Sequence, residues 1–404
     1  MKYCLLRMVT AEDNHNKDYE MEQLTDTQFV ARFGRYGAAK QEKVYSLSMW
    51  DKLYDQKIKK GYKDITNLVA IKATKSKTAG YKPIEDEAVR KLIDDLLSYA
   101  NEYVKSVYSV SKKTVTLQMV KAAQEKIDSL WDISQGDDIS EFNHVLQELL
   151  VIIPQRVSDV SDMLAKTVPS MKDIADKQQN RLDTLKSLLD VDEISKDKSI
   201  TEIDKRKTIL EAFGLIIRPC TDKESDKIKE KLTDESAALF DKAFRIEQVK
   251  VEKKFRDYCK ENDISGKDIH FLWHGTKNEN VWSILKTSLL LNPKASITGK
   301  MFGYGLYFAL RARKSIGYTS LTGSYWANGK SDKGYLISMK VAYKNPLDIY
   351  TWTNGYTTLR EKDIKKMGFD ATFAHKGSML VNDEVIVYNE AAVCPRYLIQ
   401  LKSA

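Results

Sequence analysis

The sequence predicts a multidomain α+β protein: a small β-rich part at the N-terminus, an all-α bundle in the middle, and a mixed α+β part built on sheets at the C-terminus. Three observations carry this. A chain of 404 residues exceeds what one ordinary core accommodates, so two or three domains are expected. Apolar residues recur at spacings of three and four from about 83 to 207, where strand signal is sparse. On either side, short β-branched and aromatic runs are punctuated by glycine.

The N-terminal part reads as strands at Tyr3 to Met8, Gln28 to Phe33 and Lys43 to Ser48, with a helix from Ser48 to Lys59. Phe29, Ala31 and Phe33 alternate with Val30 and Arg32, and Gly34 and Gly37 bracket a turn that aims Arg35 outward. Between Lys57 and Lys82 eight lysines, including Lys57, Lys59, Lys60 and Lys63, face one acid, Asp64. Such a run is either a solvated loop or a phosphate-contacting surface. Lys72 to Lys82 has the composition of a linker.

Helical spacing then takes over. Leu92, Ile93, Leu96, Leu97, Ala100, Tyr103, Val104 and Val107 define a helix beginning near Glu85. Leu117 to Trp131 forms a second, with Thr114 or Thr116 as its cap; Phe142 to Ile153 forms a third that Pro154 stops. A short turn at Met163 and Leu164 and a long helix carrying Ile174, Leu182, Leu185 and Leu189 complete an antiparallel bundle. Beyond the charged stretch 190–207 come a strand at Leu215 to Arg218, a polar helix at Asp222 to Leu232 and a strand at Leu239 to Val249. From there strands dominate, including Gly334 to Val341 and Val385 to Asn389.

Composition narrows the classes. The chain is 42% hydrophobic and 30% charged with a net charge of +8, the make-up of a globular protein. No apolar run reaches the ~18 residues that span a bilayer, and no signal peptide is visible, so no membrane partner and a place inside the cell are expected. Cys4, Cys220, Cys259 and Cys394 lie far apart without histidines at ligand spacing, so neither a disulfide framework nor a metal site is expected.

The chemistry concentrates between Phe271 and Tyr318. Phe271-Leu272-Trp273-His274-Gly275-Thr276 sets a polar group and a bare backbone behind an apolar triplet, as a strand end facing a ligand requires. Met301-Phe302-Gly303-Tyr304-Gly305-Leu306-Tyr307-Phe308-Ala309 and Lys314-Ser315 with Tyr318 add ring faces and hydroxyls, the ingredients of a pocket for a flat polar ligand. Asn382-Asp383-Glu384-Val385-Ile386-Val387-Tyr388 places a carboxylate at the head of an apolar strand. Two apparent motifs fail. Gly303-Tyr304-Gly305 lacks the third glycine of a dinucleotide fingerprint, and five residues rather than four separate Gly323 from Gly329-Lys330-Ser331, which excludes a P-loop.

In this order, these motifs resemble the catalytic signature of the poly(ADP-ribose) polymerases. The resemblance implies an ADP-ribosyltransferase domain at 208–404 that takes NAD+ as substrate and needs no metal. His274, Tyr307 and Glu384 would form the catalytic triad. His274, Gly275, Thr276, Tyr307, Phe308, Ala309, Lys314, Ser315 and Tyr318 would hold NAD+: Gly275 and Ser315 through the nicotinamide amide, Tyr307 and Tyr318 through the ring faces, and His274 through a ribose hydroxyl. Phe29 to Gly37 with the following basic run resembles the WGR domain of the same family, here at 1–75. This implies that Phe33, Arg35, Lys57, Lys59, Lys60 and Lys63 meet DNA ends or breaks, and that Arg35 faces a helical regulatory domain at 83–207 that restrains the catalytic site.

The chain departs from the family at Phe33, where the family carries tryptophan. It also carries Lys300 for a tyrosine and Tyr304 for a lysine, and Ser288-Leu289-Leu290-Leu291-Asn292 lacks the arginine beside the adenosine-side ribose. The implied function is DNA-dependent polymer synthesis on proteins, the enzyme itself included. Mono-ADP-ribosyl transfer, or a catalytically weak DNA-end sensor, are the alternatives. Such an enzyme would reside in the cytoplasm if bacterial or viral, and in the nucleus if eukaryotic.

Overall fold

The computed structural model describes residues 2–69, 81–109, 115–194, 207–291, 301–377 and 379–403. The linker residues 72–80, the stretch 195–206, Asn292 and Lys300 therefore lie outside the described residues. The fold is mixed α+β, and the chain separates into two compact units, 1–77 with 102–189 and 78–101 with 190–404. Among the described residues, no helix is long and apolar enough to cross a membrane.

The first unit opens with an antiparallel sheet ordered β4-β3-β2-β1-β5, formed by β1 (Tyr3–Thr10), β2 (His15–Gln23), β3 (Gln28–Arg35), β4 (Gln41–Ser46) and, after helix α1 (Trp50–Lys59), β5 (Lys63–Asp64). Sequence alternation anticipates β1 and β3 but not β2, whose His-Asn-Lys-Asp-Tyr-Glu-Met-Glu-Gln has too few apolar residues to read as a strand. Asp18 on this strand is buried because it has a partner. Arg7 Nε donates to Asp18 Oδ1 at 2.7 Å and Arg7 Nη1 donates to the Val151 carbonyl at 2.8 Å, both deep in the unit. Left unpaired, either charge would be expelled to water.

The helices follow as α2 (Glu87–Val107), α3 (Leu117–Ile133), α4 (Ile139–Ile152) and α5 (Val168–Ile194). Thr116 caps α3 by accepting from the Met119 N–H, and Asp138 caps α4 through Glu141. Helix α2 is shared: residues up to 101 cluster with the C-terminal unit and the remainder with the first. Val89, Leu92, Ile93 and Leu96 are at most 1% exposed and belong to the same core as Phe308, Tyr335 and Val385. Asp95 pairs with Lys333 at 2.9 Å, and Tyr99 meets Tyr335 edge-on.

The C-terminal unit continues with α6 (Ile209–Phe213), β6 (Leu215–Pro219), α7 (Asp222–Leu232), β7 (Phe240–Gln248), α8 (Val249–Glu261), β8 (Ile269–Gly275) and α9 (Asn278–Thr287). Then come β9 (Leu306–Ala309), α10 (Ala312–Ile316), β10 (Lys333–Ala342), β11 (Pro346–Ile349), α11 (Glu361–Lys366), β12 (Ala371–Ala374), β13 (Glu384–Val387) and β14 (Val393–Lys402). Helices α8 and α9, which the sequence reading did not single out, stand among the strands that dominate after 249. Val251, Phe255 and Tyr258 on the one, and Val281, Trp282 and Leu285 on the other, repeat at helical spacing and are buried.

The sheet runs β11-β12-β13-β9-β8-β10-β14-β7-β6. Strand β10 lies well inside it, with Tyr335, Leu336 and Ile337 fully buried, which explains the apolar triplet at its centre. One junction is thin. Strands β8 and β9 share only the pair Trp273–Ala309, so beyond it the two strands part and their ends border a cavity.

Candidate active site

The cavity encloses about 340 Å³ and is lined by His274, Gly275, Leu289, Leu290, Gly305, Leu306, Tyr307, Phe308, Ala309, Lys314, Ser315, Tyr318 and Glu384. Strand β8 delivers the first two, β9 the tyrosine with its neighbours, α10 the lysine and serine, and β13 the carboxylate at its first position. Sheet order makes this possible, since Glu384 on β13 pairs directly with Ala309 on β9. Thr276 lies outside the lining, and its hydroxyl accepts from the Asn280 amide at 3.3 Å.

His274 is partly buried, and its Nδ1 faces the Tyr307 carbonyl at 3.5 Å. Protein packed around the imidazole lowers its pKa from the ordinary 6.5 to about 4, with the Tyr307 carbonyl working weakly the other way. A neutral ring with its proton on Nδ1 leaves Nε2 as an acceptor. In the folded protein, the His274 ring-proton NMR resonances are therefore expected to titrate with a midpoint near 4. The unfolded chain takes up this proton as pH falls through about 6.5. This group therefore removes stability between about 6.5 and 4, a slope that His274→Asn should abolish in denaturation curves.

Tyr307 is held by its hydroxyl, which accepts from the Phe302 N–H and donates to the Gly303 carbonyl, both at 3.0 Å. Burial pushes that hydroxyl far above its ordinary pKa, so it stays protonated. The loop it grips is braced elsewhere: Trp352 Nε1 donates to the Met301 carbonyl at 2.8 Å, Tyr388 donates to the Phe302 carbonyl at 2.6 Å, and the Tyr304 N–H donates to the Leu359 carbonyl at 2.7 Å. Gly303 sits at φ 88°, and a Cβ there would lie 2.3 Å from that same carbonyl.

Ser315 is buried and donates to the Trp273 carbonyl at 3.0 Å, which leaves its oxygen to act as an acceptor. Gly275 is constrained most tightly, because a Cβ would fall 1.7 Å from the Ser315 carbonyl oxygen. Lys314 Nζ lies 2.5 Å from Glu384 Oε1, with the two side chains only 12% and 14% exposed. The pocket thus offers aromatic faces, polar groups at Gly275 and Ser315, a neutral imidazole and a cation-paired carboxylate. Leu289, Leu290, Gly305 and the Lys314–Glu384 pair were not individually legible as such, although the apolar run 289–291 signals a hydrophobic wall.

In the first unit, Phe33 stacks on Tyr19 with centroids 5.5 Å apart. The Lys57 ammonium lies 4.0 Å from the Tyr19 ring centre, 5.3 Å from Tyr62 and 6.0 Å from Phe33. Burial, then Lys60 and Lys17, lower its pKa. Lys59, Lys60 and Lys63 are exposed. Arg35 is engaged, not free: it donates to the Asn14 carbonyl and to the Ser158 carbonyl, each at 3.0 Å.

Residues 223–403 match the family model described as the poly(ADP-ribose) polymerase catalytic domain. An uncharacterized protein 101L of Invertebrate iridescent virus 6 is 29% identical over 212 residues, 52% of this chain and 88% of that protein. A putative poly [ADP-ribose] polymerase-like protein 100L of the same virus is 29% identical over 189 residues, 44% of this chain and 98% of its own length. Poly [ADP-ribose] polymerase 1 of Gallus gallus is 24% identical over 377 residues, 84% of this chain but 35% of that protein.

Proposed function

The chain belongs to the poly(ADP-ribose) polymerase family and is an NAD+ ADP-ribosyltransferase, and from this premise we propose that it builds ADP-ribose polymers on proteins, itself included, when its N-terminal part engages DNA ends. The observation that carries the reading is one cavity bordered by His274, Tyr307 and Glu384 together with Gly275, Ser315 and Tyr318.

In this reading nicotinamide lies between Tyr307 and Tyr318, its amide held by the Gly275 backbone and by Ser315 Oγ as acceptor. Holding the leaving group in line lowers the entropic part of the barrier. Nε2 of neutral His274 accepts from a hydroxyl of the adjoining ribose. Breaking the bond from C1″ to nicotinamide develops positive charge on the sugar, as in glycoside cleavage, and the Glu384 carboxylate favours that charge. The same carboxylate orients the attacking hydroxyl and accepts its proton. Lys314 acts as a positioning residue that holds the carboxylate in place. A carboxylate at 384, able to activate the hydroxyl of a growing chain, supports polymer over single-unit transfer. The domain roles proposed are a WGR-like DNA-binding part at 1–75, a helical restraint at 83–207 and the transferase at 208–404, with Phe33, Arg35, Lys57, Lys59, Lys60 and Lys63 on the DNA side.

Incubation with labelled NAD+, with and without nicked or blunt-ended DNA, tests this reading. DNA-stimulated release of nicotinamide with a ladder of products is expected. Single-unit products would favour mono-transfer, and no release at all would favour a DNA-end sensor. Gly275→Ala is expected to weaken free nicotinamide at least about tenfold in calorimetric titration, because the new methyl collides with the Ser315 backbone and displaces the groups that hold the amide.

A further inference from the structure

An exposed aromatic pair stands beside the cavity and takes no part in the chemistry above. Trp326 is 60% exposed and Tyr325 76%. Trp326 stacks on Tyr318 with centroids 6.0 Å apart and planes 17° from parallel, and Tyr325 meets Trp326 edge-on at 4.7 Å. Because Tyr318 lines the cavity, the three rings lead from its wall out to the surface. Rings this exposed recover little of the free energy of burial, so core packing does not account for them.

The segment presenting them is fixed. The N–H groups of Trp326 and Ala327 both donate to the Gly317 carbonyl, at 2.9 and 3.0 Å. Buried Ser324 donates to the Thr319 carbonyl at 2.8 Å and accepts from the Gly329 N–H at 2.9 Å. A Cβ on Gly329 would lie 2.1 Å from the Leu321 carbonyl oxygen, so the loop closes tightly on itself. The backbone that carries the rings is held in place ahead of any ligand, which lowers the ordering cost of binding.

Charge narrows the ligand. Residues 310–333 contain Arg311, Arg313, Lys314, Lys330 and Lys333 against a single acid, Asp332. Lys314 is engaged by Glu384, and Arg311 and Lys330 are exposed. Flat aromatic faces on a segment rich in cations suit an unpaired base and its phosphate. A duplex stem hides its base faces.

We propose that Tyr325 and Trp326 form a stacking platform for single-stranded nucleic acid, with Arg311 and Lys330 taking its phosphates, so that a strand is brought to the mouth of the transferase cavity. The binding itself does not depend on the transferase reading, which gives only the meaning of the neighbouring cavity. The test is fluorescence anisotropy of the full chain with a labelled single strand of about ten nucleotides and, separately, a blunt duplex. The double variant Tyr325→Ala/Trp326→Ala is expected to bind the single strand about tenfold or more weakly. Trp326→Phe should restore most of the affinity, and Arg311→Gln/Lys330→Gln should reduce the salt slope by about 1 to 2. Duplex binding probes the N-terminal reading, and Phe33→Ala/Arg35→Ala is the variant pair for that arm. Single-strand affinity unchanged in the double variant overturns the platform, as does an equal loss for both probes. Competition by free poly(ADP-ribose) but not by single-stranded DNA overturns it too. Tyr325→Ala alone, at a largely exposed position, supplies the comparison should the double variant lose its melting transition.

Discussion

Glu384→Gln is expected to lower nicotinamide release about a hundred- to a thousandfold and to abolish products longer than one unit, with NAD+ affinity changed by no more than about threefold. Glutamine keeps the shape at the head of β13 but loses the charge that a developing positive sugar centre requires. It also cannot take a proton from the attacking hydroxyl. A second effect comes from the geometry. The Lys314 ammonium, 2.5 Å from Glu384 and 12% exposed on its side chain, loses its anion, and breaking such a pair costs about 3–5 kcal/mol where burial is complete and less here. The double variant Lys314→Met/Glu384→Gln separates the two: melting temperature should recover relative to Glu384→Gln while turnover does not. Wild-type turnover in Glu384→Gln, read as nicotinamide released per enzyme, would sink the assignment.

The same substitution placed in each unit is expected to move activity in opposite directions. Leu96→Asp puts a carboxylate at a site with no exposure, in the core that α2 shares with Phe308 and Val385. That costs about 4 kcal/mol or more and should abolish activity with or without DNA. Leu146→Asp, equally buried but on α4 in the first unit, should loosen the proposed restraint and raise DNA-independent nicotinamide release. The distinction bears on truncation. A deletion starting at 83 would strip Val89, Leu92, Ile93 and Leu96 from the C-terminal core, so loss of activity in it would not speak against a restraining role for the helices beyond 101. Normal activity in Leu96→Asp, or unchanged DNA-free activity in Leu146→Asp, would count against this picture.

Much of the architecture is written locally. The 3.6-residue spacing in α3 and α4, the caps at Thr116 and Asp138 and the apolar Tyr335-Leu336-Ile337 of β10 each depend on a few neighbours. Strand β2 is different. Its Asp18 is buried because Arg7, eleven residues away, neutralises it, and no window along β2 contains that information. Helices α8 and α9 carried a readable period that the surrounding strand signals masked.

The candidate site divides in the same way. His-Gly-Thr at 274–276, Lys-Ser at 314–315 and Asn-Asp-Glu at 382–384 are short strings whose residue types already declare polar groups set on strand or helix ends. The convergence of His274, Gly275, Lys314, Ser315 and Glu384 on one cavity follows from the β13-β9-β8 order and from the early parting of β8 and β9 after Trp273–Ala309.

By itself, the sequence determined the mixed α+β class, the family motifs and the residue types available for chemistry, because propensity, period and motif act over a handful of adjacent positions. Only the tertiary structure decided that α2 packs its first half with the C-terminal unit, that Lys314 meets Glu384, that Leu289 and Leu290 wall the cavity, and that Trp326 backs Tyr318. These are contacts between segments distant along the chain or brought together by a loop closure. Their partners are chosen by the burial and charge pairing of the whole fold, which no single stretch encodes.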